Sequence, residues 1–91
     1  MSALETYVPE VWARVRSAPA RDKARPLAEA IHVEICARVC RAADERGYAV
    51  LDYHEVARLA DVSESLANRV LARACPGRAV GGVCVAKCED C

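Results

Sequence analysis

His54–Ala74, HEVARLADVSESLANRVLARA, decides how this chain folds. Val56, Ala57, Leu59 and Ala60 fall on one face at helical spacing, and so do the apolar residues after Ser63. Asp52 and Glu55 have the spacing of an acidic capping box, which opens the first of these helices. Asp61 ends it, because Asp tolerates the left-handed backbone of a tight turn better than most residues. Ser63 is placed to cap a second helix from Glu64 to about Ala74. Cys75-Pro76-Gly77 then stops that helix, since proline cannot continue it and glycine suits its end. Residues 53–74 are therefore predicted to be two short helices joined by a sharp turn.

Before this pair, Tyr48–Leu51 is a short β-leaning run that follows Gly47, a natural helix stop. A long helix is expected from Pro26 to about Arg46, with Leu27, Ile31, Ile35, Val39 and Ala42 on one stripe. PARDKARP, residues 19–26, is a polar break. An N-terminal helix is expected over residues 1–18, where Ser2 and Glu5 have capping-box spacing and Pro9 would sit best in a first turn. Val8, Val11, Trp12 and Val15 share a face, with Trp12 as core anchor. After the pair, Gly81-Gly82 between two β-branched runs predicts a tight hairpin in Ala79–Val85.

The His54–Ala74 segment resembles a helix-turn-helix. Ala57 stands at the small position between the helices, Asp61-Val62-Ser63 forms the turn, with Asp61 in place of the usual Gly, and Arg69-Val70-Leu71 closes the pattern. Leu66 and Ala67 stand where Thr and Val are common. The order helix, strand, helix, helix, hairpin over residues 27–85 is similar to the winged subtype. The resemblance implies a mainly α winged helix-turn-helix: a three-helix core, an N-terminal helix and a short β-hairpin wing. One domain over residues 1–91 is expected, with a helical core at 26–77 and a wing and cysteine-rich tail at 78–91.

In such a domain the second motif helix enters the major groove. The resemblance then assigns DNA contacts to Ser63, Ser65, Asn68, Arg69 and Arg73, with Glu64 also pointing outward. Arg suits guanine, Asn suits adenine, and Ser63 or Tyr53 suits phosphate. The formal net charge is zero, which argues against a non-specific nucleic-acid binder but leaves room for local patches. Arg14, Arg16, Arg21, Lys23 and Arg25 form one basic stretch, which also reads as a solvated helix end.

Six cysteines stand in 91 residues. Cys75, Cys84, Cys88 and Cys91 are spaced C-x8-C-x3-C-x2-C around the hairpin. Four thiolates at short spacings suit zinc or an iron–sulfur cluster. The run from Cys84 to Cys91 is similar to the cluster loop of radical S-adenosylmethionine enzymes, but the chain is too short for their barrel. In layout the chain resembles two groups of iron–sulfur winged helices: the small C protein of bacterial ferrous-iron transport and the beta subunit of archaeal transcription factor E. The alternative is disulfides, in which Cys36 and Cys40, one helical turn apart, pair with tail cysteines and pin the tail to the long helix. Six cysteines permit 15 pairings, and spacing does not choose among them. The expected cofactor is thus an iron–sulfur cluster or zinc, or none if the thiols pair.

The chain has no Phe, one Trp and two Ile, so its core rests on Leu, Val and Ala, and a cross-link or metal would help hold it. The absence of Gln, one Asn and the excess of Arg over Lys fit a thermophile or a GC-rich genome; hyperthermophile cytoplasm tolerates structural disulfides. No run is apolar enough for a membrane span and the N-terminus has no signal-peptide pattern, so a cytoplasmic protein is expected. His32 and His54 lie on different elements with no triad partners, so no enzyme is expected. Two functions remain: a winged helix that binds DNA or the transcription machinery and holds a four-cysteine metal site, or a disulfide-stapled protein–protein interaction module that never touches DNA.

Overall fold

The computed structural model describes residues 8–42 and 47–91. They form a mainly helical chain with a small three-stranded antiparallel sheet. The first helix, α1, is Pro9–Ser17. It begins later than the residue-1 start expected from the sequence, because Pro9 opens it, having no N–H to leave unpaired there. The Ser2–Glu5 capping box lies outside the described residues. Val11, Trp12 and Val15 are buried, as their spacing predicts. Lys23 closes the other end, its Nζ donating to the carbonyls of Val15 at 2.9 Å and Arg16 at 3.2 Å.

The polar break contains a 3-10 turn at Ala20–Asp22, and α2 spans Ala24–Ala42. That helix starts two residues ahead of Pro26, which is tolerated because the first helical N–H groups have no intrahelical acceptor. Leu27, Ile31, Ile35 and Val39 are all fully buried along the expected stripe. Ala42's side chain and the expected helix end at Arg46 lie outside the described residues.

The β-leaning run becomes β1, Tyr48–Asp52. It leads directly into α3, Tyr53–Ala60, and α4, Glu64–Ala74. Asp52 caps α3 by accepting from the His54 N–H at 2.6 Å, and Ser63 Oγ accepts from the Leu66 N–H at 3.2 Å. Asp61 takes the left-handed conformation, φ 55°, expected where glycine is usual. The hairpin follows as β2, Arg78–Val80, and β3, Val83–Lys87. Gly81 and Gly82 both have positive φ, which a two-residue primed turn requires.

The hairpin is not a free two-stranded ribbon. β3 pairs β1 on its other edge, giving the order β1-β3-β2, with Leu51 opposite Cys84 and Val50 opposite Val85. Period-2 alternation divides this sheet. Ala49, Leu51, Cys84 and Ala86 face the core and are buried. Tyr48, Val50 and Val80 are exposed on the outer face, with Val83 and Val85 half-buried in the same rows. One apolar cluster joins residues from all four helices to β1 and β3.

Polar groups also cross this core. Glu34 on α2 is fully buried. Its Oε1 accepts from Trp12 Nε1 at 2.7 Å and its Oε2 from Arg38 Nε at 2.8 Å. Arg38 then grips Glu55 of α3 with two bonds, at 2.9 and 3.1 Å. Burial alone would lower the Arg38 pKa, but hydrogen bonds to Glu55 and Glu34, together with their charges, outweigh it and raise the value. Among the described residues no buried side-chain nitrogen or oxygen lacks a partner.

Removing one member of a buried ion pair leaves the other charge stranded, a loss of about 3–5 kcal/mol. Arg38→Ala is therefore expected to lower unfolding free energy by about that much in urea titration. Arg14→Ala, which breaks an exposed pair with Glu29, is expected to cost less than about 1 kcal/mol. Equal effects from the two variants would show that the buried network contributes little.

Candidate functional site

Two groups of residues were expected to carry function: the outward face of α4 and the tail cysteines. On α4, Ala67, Val70 and Leu71 are buried, while Glu64, Ser65, Asn68, Arg69 and Arg73 are exposed. The helical period thus separates the residues as the sequence predicts. Ser63 is exposed, and its hydroxyl oxygen is engaged as the helix cap. Among the described residues, no side-chain hydrogen bond or ion pair occupies Ser65, Arg69 or Arg73.

Glu64, the acidic residue on this face, has a partner that spacing does not reveal. Its Oε2 lies 2.6 Å from Nδ1 of His54. The two residues open α4 and α3, so the contact ties the two helix starts together. His54 also stacks against Tyr53, ring centroids 4.1 Å apart. The Tyr53 N–H donates to the Gly82 carbonyl at 2.9 Å, fixing the hairpin turn to the start of α3. Gly82 packs so closely on the Tyr53 ring that a side chain there would collide with it, and Asn68 lies beside the same turn. The hairpin tip and the exposed face of α4 are therefore neighbours. Exposed Arg78 on β2 adds a cation to the hairpin.

The basic stretch near the N-terminus is used differently. Arg16 donates to the Leu59 carbonyl at 2.7 Å, Lys23 closes α1, and Arg14 pairs with Glu29. Arg21 and Arg25 line a shallow groove with Asp22, Ala24 and Pro26.

The sulfurs do not converge as the C-x8-C-x3-C-x2-C spacing suggests. Cys75 bonds to Cys84, and Cys91 bonds to Cys36. Cys88, left unbonded, has its Sγ 4.0 Å from that of Cys40. Cys75, Cys84, Cys88 and Cys91 are thus distributed over three separate pairs, and this set does not fit a single metal centre. The reason lies in the sheet. The pairing of β3 with β1 turns Cys84 into the core, whereas Cys88 lies beyond the strand in a 3-10 turn, Cys88–Asp90. Among the described residues, with both disulfides formed, no group of three or more His, Cys, Asp or Glu is placed to hold a metal ion.

Each bond has a mechanical role. Cys75–Cys84 joins the end of α4 to β3, across the Pro76-Gly77 corner. A side chain at Gly77 would strike the Val85 backbone, so the corner can close only around glycine. Cys36–Cys91 ties the tail to the middle of α2, with Cα atoms 5.9 Å apart. The hydrogen bond and charge of Cys40, then slight burial and Glu89, push the Cys88 thiol above its ordinary pKa.

No protein-family model, curated protein or solved structure matches this chain. Among the described residues, no helix is long and apolar enough to cross a membrane.

Loop-closure entropy ranks the two bonds. The 9-residue separation of Cys75–Cys84 is worth about 3 kcal/mol and the 55-residue separation of Cys36–Cys91 about 4 kcal/mol. Cys91→Ser is therefore expected to lower the urea midpoint more than Cys75→Ser. The difference should vanish when both proteins are unfolded in excess reductant, and its persistence there would locate the effect elsewhere.

Proposed function

We propose that this protein is a winged-helix domain that binds double-stranded DNA through α4, with the β2–β3 hairpin as its wing. The observation that carries the reading is the unpaired polar face of α4. Ser65, Asn68, Arg69 and Arg73 project from one helix side, while its other side is sealed into the core. An α-helix fits the major groove, where arginine and asparagine present bidentate donors and acceptors to guanine and adenine. The N-terminal end of the helix carries Ser63, Ser65 and Asn68, the end that such a domain presents to base edges. Arg78 on the neighbouring hairpin is positioned to meet phosphate, with the hairpin tip held by Tyr53 and Gly82.

Glu64 is compatible with this role because His54 takes up its carboxylate. A chain of zero net charge then binds with a modest salt dependence, and its affinity rests on base contacts more than on bulk attraction. The Cys75–Cys84 bond holds the corner between reading helix and wing, which supports the reading without any cofactor in the DNA contact. The role is one of binding rather than catalysis.

A second reading, a protein-interaction module of a larger assembly such as the transcription machinery, is favoured by the outer sheet face. Tyr48, Val50 and Val80 are 39, 41 and 62% exposed there, and contiguous exposed apolar side chains are a mark of protein contact sites.

The readings separate in one experiment. Selection from a random duplex pool at low salt is expected to enrich one motif. Arg69→Ala should weaken binding to that motif by about 1–3 kcal/mol and relax preference at one base pair. Val50→Asp with Val80→Asp should leave it unchanged. Failure to retain any duplex, or retention indifferent to Arg69→Ala and Arg73→Ala together, would reject the DNA reading.

A further inference from the structure

Four of the six sulfurs come from two short segments that face each other. Cys36 and Cys40 are one turn apart on α2, so their Cα atoms are about 6 Å apart by helix geometry. Cys88 and Cys91 bracket a 3-10 turn, in which the Cys91 N–H donates to the Cys88 carbonyl at 3.2 Å. A rise of about 2 Å per residue places those two Cα atoms about 6 Å apart as well. Across the gap, the Cys36 and Cys91 Cα atoms are 5.9 Å apart, and the Cys40 and Cys88 sulfurs are 4.0 Å apart. Both pairs are thus about 6 Å apart along their own segments, and across the gap one pair is within bonding reach while the other brings its sulfurs to 4.0 Å. With zinc–sulfur bonds of about 2.3 Å, neighbouring sulfurs of a tetrahedral site lie about 3.8 Å apart, close to the Cys40–Cys88 separation.

We propose that Cys36, Cys40, Cys88 and Cys91 form a tetrahedral zinc site when the Cys36–Cys91 bond is reduced. The C-x3-C pair on α2 and the C-x2-C pair in the tail then each supply two thiolates. Nothing in this assignment depends on DNA binding.

The chemistry balances with a dithiol as reductant. One of its sulfurs attacks the Cys36–Cys91 bond and its second sulfur resolves the mixed disulfide, leaving two cysteine thiols and an oxidised reductant. The four thiols then release four protons as one zinc ion binds. Cys40 and Cys88, exposed and unbonded, are the open edge of the site. In the oxidised state they are a dithiol beside a disulfide, and the tail stays on α2 in either state. Cys75 and Cys84, at the far end of β3, take no part.

Cobalt reports on such a site, because tetrahedral cobalt thiolates absorb strongly in the visible. The full chain reduced with a phosphine, without oxygen, is expected to bind one cobalt ion with a four-thiolate spectrum that zinc abolishes. Cys75→Ala with Cys84→Ala should keep that spectrum, and Cys40→Ser or Cys88→Ser should lose it. Far-UV circular dichroism accompanies each titration, since a chain that unfolds on reduction should regain its helix with zinc. The proposal is overturned by a reduced chain that takes up no cobalt, folded or not. It is equally overturned by a spectrum that survives Cys40→Ser and Cys88→Ser or that needs Cys75 and Cys84. Iron and sulfide filling the same four cysteines while zinc does not would replace the zinc assignment.

Discussion

The buried carboxylate of Glu34 is the constraint on which the rest of this small fold depends. A carboxylate out of water is tolerable only with its charge balanced and its lone pairs engaged. Trp12 supplies one donor and Arg38 another, and Arg38 in turn needs Glu55. Those requirements fix three helices at once. α1 must present Trp12 to α2, and α3 must present Glu55 to the same arginine. The apolar cluster, made mainly of Val, Leu, Ile and Ala, is non-directional and tolerates sliding. The Trp12–Glu34–Arg38–Glu55 chain does not, so it gives the helices a single arrangement around that cluster.

The sulfur bonds complete what the core is too small to do. The tail after β3 buries none of its own side chains, and burial therefore gives it no reason to stay in place. Cys91 reaches Cys36 on α2, the same helix that carries Glu34 and Arg38, so the tail is fastened to the most constrained element. Cys75–Cys84 does the same for the hairpin, whose β2 strand is exposed throughout. Covalent closure replaces hydrophobic area where a short chain has too little of it.

Much of the fold was legible because it rests on local signals. The stripe of α2, the caps at Asp52 and Ser63, the turn at Asp61 and the Gly81-Gly82 hairpin each follow from a few adjacent residues. The outward set Ser65, Asn68, Arg69 and Arg73 followed from helical period alone. What escaped was long-range. Nothing near Glu34 announces that a Trp 22 residues earlier will donate to it, and charged residues on a helix normally read as solvated. The pairing of β3 with β1 was hidden for the same reason, and with it the inward turn of Cys84 that splits the tail sulfurs. His54 and Glu64 are 10 residues apart, and only the packing of α3 on α4 brings them together.

These long-range contacts also explain why a net charge of zero is a poor guide to the surface. Glu34 and Glu55 are spent on Arg38, Glu29 pairs with Arg14, and Glu64 is held by His54. Arg16 and Lys23 are spent on backbone carbonyls at the other end of the molecule. Subtracting these groups leaves Arg69 and Arg73 on α4 and Arg78 on the hairpin with no acidic partner among the described residues. Near α4 these arginines stand beside one carboxylate, Glu64, so the field there follows this local set of charges rather than the chain's overall balance. A chain of zero formal net charge can in this way present a local excess of cationic groups on one face.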